Sequence, residues 1–275
     1  MEDINTMKHE KRVELASEHL SQADKDLSMT VRKANQLIQK NRFDMTVREQ
    51  RLLLYCISRI KPKDTGSERY SINIRDVCVA CGIENNVTGG AYAAMKEAVK
   101  KLDSFNFELI DDGGRRHIVH WIRSVVIDPE GKRRASIQFE FDPKIVPYLF
   151  DVRKYFTQYE LSNVLKMKSV YGVRLYELAK SYQNIREKSF DLKELRYLLG
   201  AEEKSYDRYS NLKQKIIEPA MNELRMYSDL KIDYLEIKDG RKVTGIKFII
   251  SDGSEDKVMR DWEQIDRERH PERYQ

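Results

Sequence analysis

Cysteine is scarce, three in 275 residues, too few for a disulfide framework in a chain this size, so the fold must be held by its packed core. No apolar run approaches the roughly 18 residues of a membrane span, and the N-terminal residues lack the apolar centre of a signal peptide. A cytoplasmic protein without a membrane partner is therefore expected. The pattern G-x-x-x-x-G-K-S/T is absent, which excludes a phosphate-cradling nucleotide loop of that kind. Cys78 and Cys81 have metal-like spacing, but no second Cys or His pair stands where a tetrahedral site could use it. They read as buried thiols. His117 and His120 are three apart in a strand-like stretch and so point to opposite faces, unlike the paired histidines that a metal-dependent nicking enzyme aims at one ion. The 15 tyrosines then need no role as nucleophiles. Carboxylates sit at caps and helical salt-bridge positions, forming no sharp acid–base pair. No catalytic residue, cofactor or metal is expected, and the chain does not read as an enzyme.

What is present is a globular composition, 40% hydrophobic and 35% charged, with a net charge of +5. That charge is a weak pointer to a polyanion partner, so local clustering has to carry the argument. The length suits two modest domains. Residues 1–29 are charged and nearly free of large apolar side chains, which predicts a flexible N-terminal segment; residues 252–275 form a charged C-terminal tail. A helix is predicted from Val31 to Lys40. Thr46 and Glu49 form a capping box before a second helix carrying Leu52 to Ile57. That run is too continuously apolar for an exposed helix: it is buried on most sides or faces another subunit.

Next come a short strand at Tyr70 to Ile72 and a helix capped by Asn73, then a helix with Tyr92, Met95, Val99 and Leu102 toward the core and Lys96 and Lys100 off that line. The period changes to two from Phe105. Strands around Phe107 to Ile110 and His117 to Ile122 flank a turn bearing Arg115 and Arg116, and a further hairpin carries Arg133 and Arg134 before the strand Ser136 to Phe141. Pro143 and Pro147 mark a change of composition, which places a domain boundary at 142/143. Thr157 to Glu160 reads as a second capping box, followed by helical stretches, a strand at Ser189–Phe190, and a helix capped by Asp191 and stopped by Gly200.

An internal repeat is the strongest feature. Ile72, Ile74, Asp76, Val77, Ala80 and Gly82 fall on Phe190, Leu192, Glu194, Leu195, Leu198 and Gly200 at one offset, and Tyr92, Met95 and Val99 fall on Tyr209, Leu212 and Ile216 with a one-residue change. Caps, core positions and turns agree. The expected fold class is therefore α+β, with two tandem winged-helix domains: domain 1 over 30–142 and domain 2 over 143–251.

In the second unit, Leu212, Ile216, Ala220, Leu224 and Tyr227 make one helical stripe, which leaves Ser210, Asn211, Lys213, Gln214 and Lys215 off the core line. An ordinary surface helix would show the same stripe. This outer face, however, carries amides that pair with adenine edges and lysines that reach guanine or phosphate. Pro219 should kink or restart the rod. The hairpin that follows turns at Lys238 to Lys242 and presents Arg241 and Lys242. A turn needs only Gly with Asn or Asp, so basic tips repeated in both units suit phosphate contact by a wing.

Val31 with Ala34-Asn35-Gln36-Leu37, Thr46 to Leu53, Phe156-Thr157, Tyr171 to Leu178, Phe190 to Gly200, and Lys213 through Pro219-Ala220 to Leu224 occur in an order and spacing that closely resemble the iteron-binding plasmid replication initiators. The resemblance runs from about Val31 to Ile250. It implies binding to double-stranded origin DNA with direct repeats, origin opening, and recruitment of a host replication initiator and replicative helicase, with host chaperones as further partners. It also implies base reading by the second domain, and DNA backbone contact and dimerisation by the first, the dimer repressing its own promoter. The residues alone reach duplex binding by two winged helices, for which a transcriptional regulator without a replication role is the alternative.

Overall fold

The computed structural model describes residues 29–42, 44–81, 90–110, 113–128, 136–150 and 155–251. The two tails, and with them the expectation of a flexible N-terminal segment, lie outside these residues. The chain separates into two compact units, one within Met1–Leu37 and Phe43–Lys166, the other within Ile38–Arg42 and Met167–Gln275. The expected boundary at 142/143 therefore differs from this division, which keeps the chain with the first unit as far as Lys166.

The first unit opens with strand β1 (Thr30–Ala34) and helix α1 (Asn35–Lys40), whose last residues are grouped with the second unit. The predicted helix from Val31 thus begins four residues late. Burial alternates along Thr30–Ala34, with Val31 and Lys33 inside, and β1 pairs antiparallel with β7 (Phe156–Glu160). The second capping box predicted at Thr157 to Glu160 is this strand. Thr157 and Tyr159 alternate into the interior, and the Thr157 hydroxyl donates to Asn35 Oδ1 at 2.7 Å instead of capping a helix. The first box is real: Thr46 Oγ1 accepts from Glu49 N, and Glu49 Oε2 from Thr46 N, at the start of α2 (Val47–Ile57). Leu52 to Ile57 are all buried within this chain.

Strand β2 (Tyr70–Asn73) runs into α3 (Ile74–Ala80), with Asn73 Oδ1 accepting from Arg75 N, and α4 (Gly90–Lys100) buries Met95, Ala98 and Val99. Hairpin β3 (Asn106–Ile110) and β4 (Arg116–His120) forms a two-stranded sheet of its own. The single strand predicted over His117 to Ile122 breaks at Trp121. The Trp121 ring is fully buried against Phe107, while its backbone N–H donates to Phe105 O and its backbone carbonyl accepts from Asp142 N. Strands β5 (Ile122–Ile127) and β6 (Ser136–Phe141) then complete a three-stranded antiparallel sheet in the order β2-β6-β5. Ile137, Phe139 and Phe141 alternate inward along β6. Short helices α5 (Val146–Leu149) and α6 (Ser162–Leu165) flank β7.

In the second unit α7 (Val170–Ser181) is followed by β8 (Glu187–Asp191) and α8 (Leu192–Leu199), where Asp191 accepts from Glu194 N and Gly200 ends the helix in the left-handed region. A helical rod then runs from Tyr209 to Tyr227, and β9 (Lys231–Asp239) with β10 (Lys242–Ser251) close a sheet of order β8-β10-β9. Both units thus place their strands in the order first, third, second. The repeat read from the sequence is a repeat of topology, with β3–β4 inserted in the first unit.

Candidate nucleic-acid interface

The rod of the second unit is made of α9 (Tyr209–Leu212), a wide π turn over Lys213–Ile217, and α10 (Glu218–Tyr227). Pro219 has no N–H to give back to the preceding turn, and the chain meets this with a π turn in which Glu218 N–H reaches Lys213 O. The regular α-helix begins again at Glu218, with Pro219 in its first turn, as a restart of the rod at this proline predicts. The extra residue brings both Ile216 and Ile217 into the core, alongside Leu212, Ala220, Met221 and Leu224; Tyr227, expected on this stripe, is half-buried.

On the other side Ser210, Gln214 and Lys215 are exposed. Asn211 is half-buried, and its Nδ2 donates to Ser205 O at 2.8 Å, so part of its hydrogen-bonding capacity is already spent within the chain. Lys213 also turns inward. Its Nζ lies 2.8 Å from Glu236 Oε1 on β9, an oxygen that accepts from the Tyr209 hydroxyl at 2.8 Å as well, while Lys238 Nζ stands 3.3 Å from Oε2. Burial alone would raise the Glu236 carboxyl, but the bonds from Lys213, Tyr209 and Lys238 outweigh it and hold the group at about 2. Tyr209 is pushed upward by burial and by its bond to this carboxylate. Glu236 thereby straps the N-terminal end of the rod to the ribbon β9–β10. Sequence reading missed it, although Ile232, Tyr234 and Glu236 share one face at period two, which put a carboxylate in line with two core residues. The ribbon turns through Gly240–Arg241, and Arg241 and Lys242 stand exposed at its tip.

In the first unit Lys96 is half-exposed on α4, and Lys100 on the same helix pairs with Glu97 at 2.7 Å. The bond and charge of Lys100 hold the Glu97 carboxyl below the usual carboxylate range. Arg115 and Arg116 are exposed at the end of β3–β4, Arg116 lying 3.4 Å from Glu108. These two therefore belong to the inserted hairpin. The turn equivalent to that of the second unit joins β5 to β6, and Arg133 and Arg134 there lie outside the described residues. Cys78 and Cys81 are buried thiols, pushed up by burial to about 11 and about 12. His117 and His120 pair with Leu109 and Asn106 on successive faces of β4. Among the described residues no His, Cys, Asp or Glu cluster could hold a metal, and no helix is long and apolar enough to cross a membrane.

Helix, strand, helix, long rod, then two strands closing the sheet in the order first, third, second define a winged helix, and the chain carries two of them. It belongs to the initiator replication protein family: the family model described as "Initiator Replication protein, WH1" matches residues 30–180, and "Initiator Rep protein, WH2" matches residues 191–250. A "Replication initiation protein" of Escherichia coli is 26% identical over 216 residues, and a "Probable replication protein rep" of Bifidobacterium longum (strain NCC 2705) is 22% identical over 198. These alignments cover 74% and 72% of this chain but 64% of each relative. The structure titled "Crystal structure of Pi initiator protein in complex with iteron DNA" superimposes with a TM-score of 0.66 at 20% identity, over 83% of this chain and 99% of that one. At this identity the likeness is one of fold.

Proposed function

We propose that the chain is a plasmid replication initiator of the cytoplasm that binds directly repeated origin sites as a monomer, promotes origin opening, recruits the host initiator and replicative helicase, and as a dimer represses its own promoter. The observation that carries DNA binding is the second winged helix, where Ser210, Gln214 and Lys215 stand exposed on the rod and Arg241 and Lys242 at the wing tip. Amide and lysine on a helix suit base edges in a major groove, and wing cations suit phosphate. Family membership and the fold shared with an initiator solved on iteron DNA support direct repeats as the target. Lys96, Lys100, Arg115, Arg116, Arg133 and Arg134 are assigned to backbone contact by the first unit. Self-association, host factors and chaperones rest on the family resemblance: Leu52 to Ile57 are buried within the chain and leave no apolar face there for a second copy to cover.

The test is hydroxyl-radical footprinting on the DNA flanking the chain's own gene, joined to transformation with a plasmid that carries only that origin. Protection of directly repeated sites and rescue of the plasmid in trans are expected. Protection of a promoter without rescue would make the chain a regulator.

A further inference from the structure

Glu236 is an anion placed inside a cationic surface. It emerges from the core face of β9, keeps 20% of its side-chain surface exposed, and is contacted by one lysine from the rod, Lys213, and one from its own strand, Lys238. The Tyr209 hydroxyl, also from the rod, fills the remaining capacity of Oε1. Both lysines are themselves accessible, at 41% and 54%, so each ammonium can be reached by a competing anion from solvent. A DNA phosphate offers what this carboxylate offers, an anionic oxygen acceptor for an ammonium group. Two cations of the surface are therefore occupied before any DNA arrives.

Resting on the duplex-binding reading above, we propose that Glu236 is a specificity-determining residue, an internal competitor for DNA phosphate that withholds Lys213 and Lys238 from arbitrary duplex. Non-specific binding draws almost all its affinity from phosphate neutralisation. An arbitrary duplex settles in whatever register places most cations on phosphates, and so gains most from released lysines. The complex at a specific site is held in one register by base contacts from residues such as Gln214 and Lys215, which Glu236 does not touch. Withholding the two lysines thus lowers the background more than the signal. The same carboxylate keeps the rod and the ribbon in fixed relation through Tyr209.

Glu236→Gln tests this, because the amide oxygen still accepts from Tyr209 and Lys213 while the charge is removed. Full-length protein and variant are titrated, over a series of salt concentrations, against a duplex bearing one origin repeat, a scrambled duplex of equal length, and heparin. The variant is expected to bind scrambled duplex and heparin several-fold more tightly, with a salt slope steeper by up to about 2, about 0.9 for each lysine released. Its ratio of specific to scrambled affinity should fall. Adding Lys238→Gln to Glu236→Gln should return about half of the added slope. An unchanged slope on scrambled duplex and heparin overturns the proposal, as does an equal gain on both duplexes. If wild-type protein does not distinguish repeat from scrambled DNA, the duplex-reading assignment fails, and heparin alone still decides whether Glu236 withholds the lysines.

Discussion

Glu223 on α10 presses its carboxylate against Gly172 on α7: Glu223 Oε2 occupies the place that a Cβ at residue 172 would take. That carboxylate accepts from the amides of Lys168 at 2.7 Å and Ser169 at 3.2 Å, so a side chain from the rod caps the start of another helix. The bond set explains why Gly is needed inside α7, where it costs roughly 1 kcal/mol of helix propensity relative to Ala. Gly172→Ala should regain that amount but displace the carboxylate from the exposed Lys168 amide and the half-buried Ser169 amide, bonds of about 0.5–1.5 kcal/mol each, for a net loss of up to about 2 kcal/mol in urea unfolding. Glu223→Ala in the Gly172→Ala background should then add little. Fully additive losses would show that the two residues do not share this contact.

Arg174 and Glu177 form an ion pair with 1% and 0% of their side chains exposed. The guanidinium also donates to the carbonyls of Ile38, Asn41 and Leu198, joining the ends of α1 and α8 to α7 within the second unit. Arg174→Met leaves those carbonyls and a buried carboxylate without it, and should cost about 3–5 kcal/mol. Glu177→Gln keeps an acceptor and should cost less. A double-mutant cycle with Arg174→Met and Glu177→Leu should return a coupling of about 0.5–3 kcal/mol, because the second change removes the carboxylate that the first left stranded. No coupling would mean that the carbonyls, and not Glu177, account for the role of Arg174.

Asn73 and Asp191 hold the same place in the two units, each ending a strand and capping the next helix. Asn73→Ala and Asp191→Ala should each cost about 1 kcal/mol. Native-state hydrogen exchange checks this residue by residue: the first change should loosen α3 and leave α8 alone, and the second the reverse. Loosening of both helices by either change would contradict two separate units.

These caps were legible in the sequence because a cap is local chemistry, decided by one side chain and the amides two or three residues on. So was the core of each repeat, with Ile72 and Phe190, Val77 and Leu195, Met95 and Leu212, and Val99 and Ile216 all buried. Thr157 to Glu160 misled because Thr and Glu three apart also fit a strand, and pairing with distant Thr30–Ala34 decided which. A residue more than 100 positions away sets no local pattern. The break at Trp121 rests on partners nearer in the chain but still outside its own strand, Phe105 and Asp142. The outward placement of Gln214 and Lys215 followed from the helical stripe alone. The inward turn of Lys213 did not, because it depends on Glu236 lying across the unit on β9.

Groove residues and wing residues should separate by the kind of loss they cause. Gln214→Ala and Lys215→Ala should each lower binding to the origin repeat by roughly 1–3 kcal/mol and barely change binding to scrambled duplex, since a base contact is lost only where the base is right. Ser210→Ala should act in the same sense. Asn211→Ala should cost less specificity than Gln214→Ala, because the Asn211 amide already serves Ser205. Arg241→Ala and Lys242→Ala should weaken both duplexes alike, each reducing the salt slope by about 0.9. Titrations of both duplexes at several salt concentrations measure all six variants on one scale. If Gln214→Ala and Lys215→Ala weakened scrambled duplex as much as the repeat, these residues would be phosphate contacts, and base reading would have to be sought on another face of the unit.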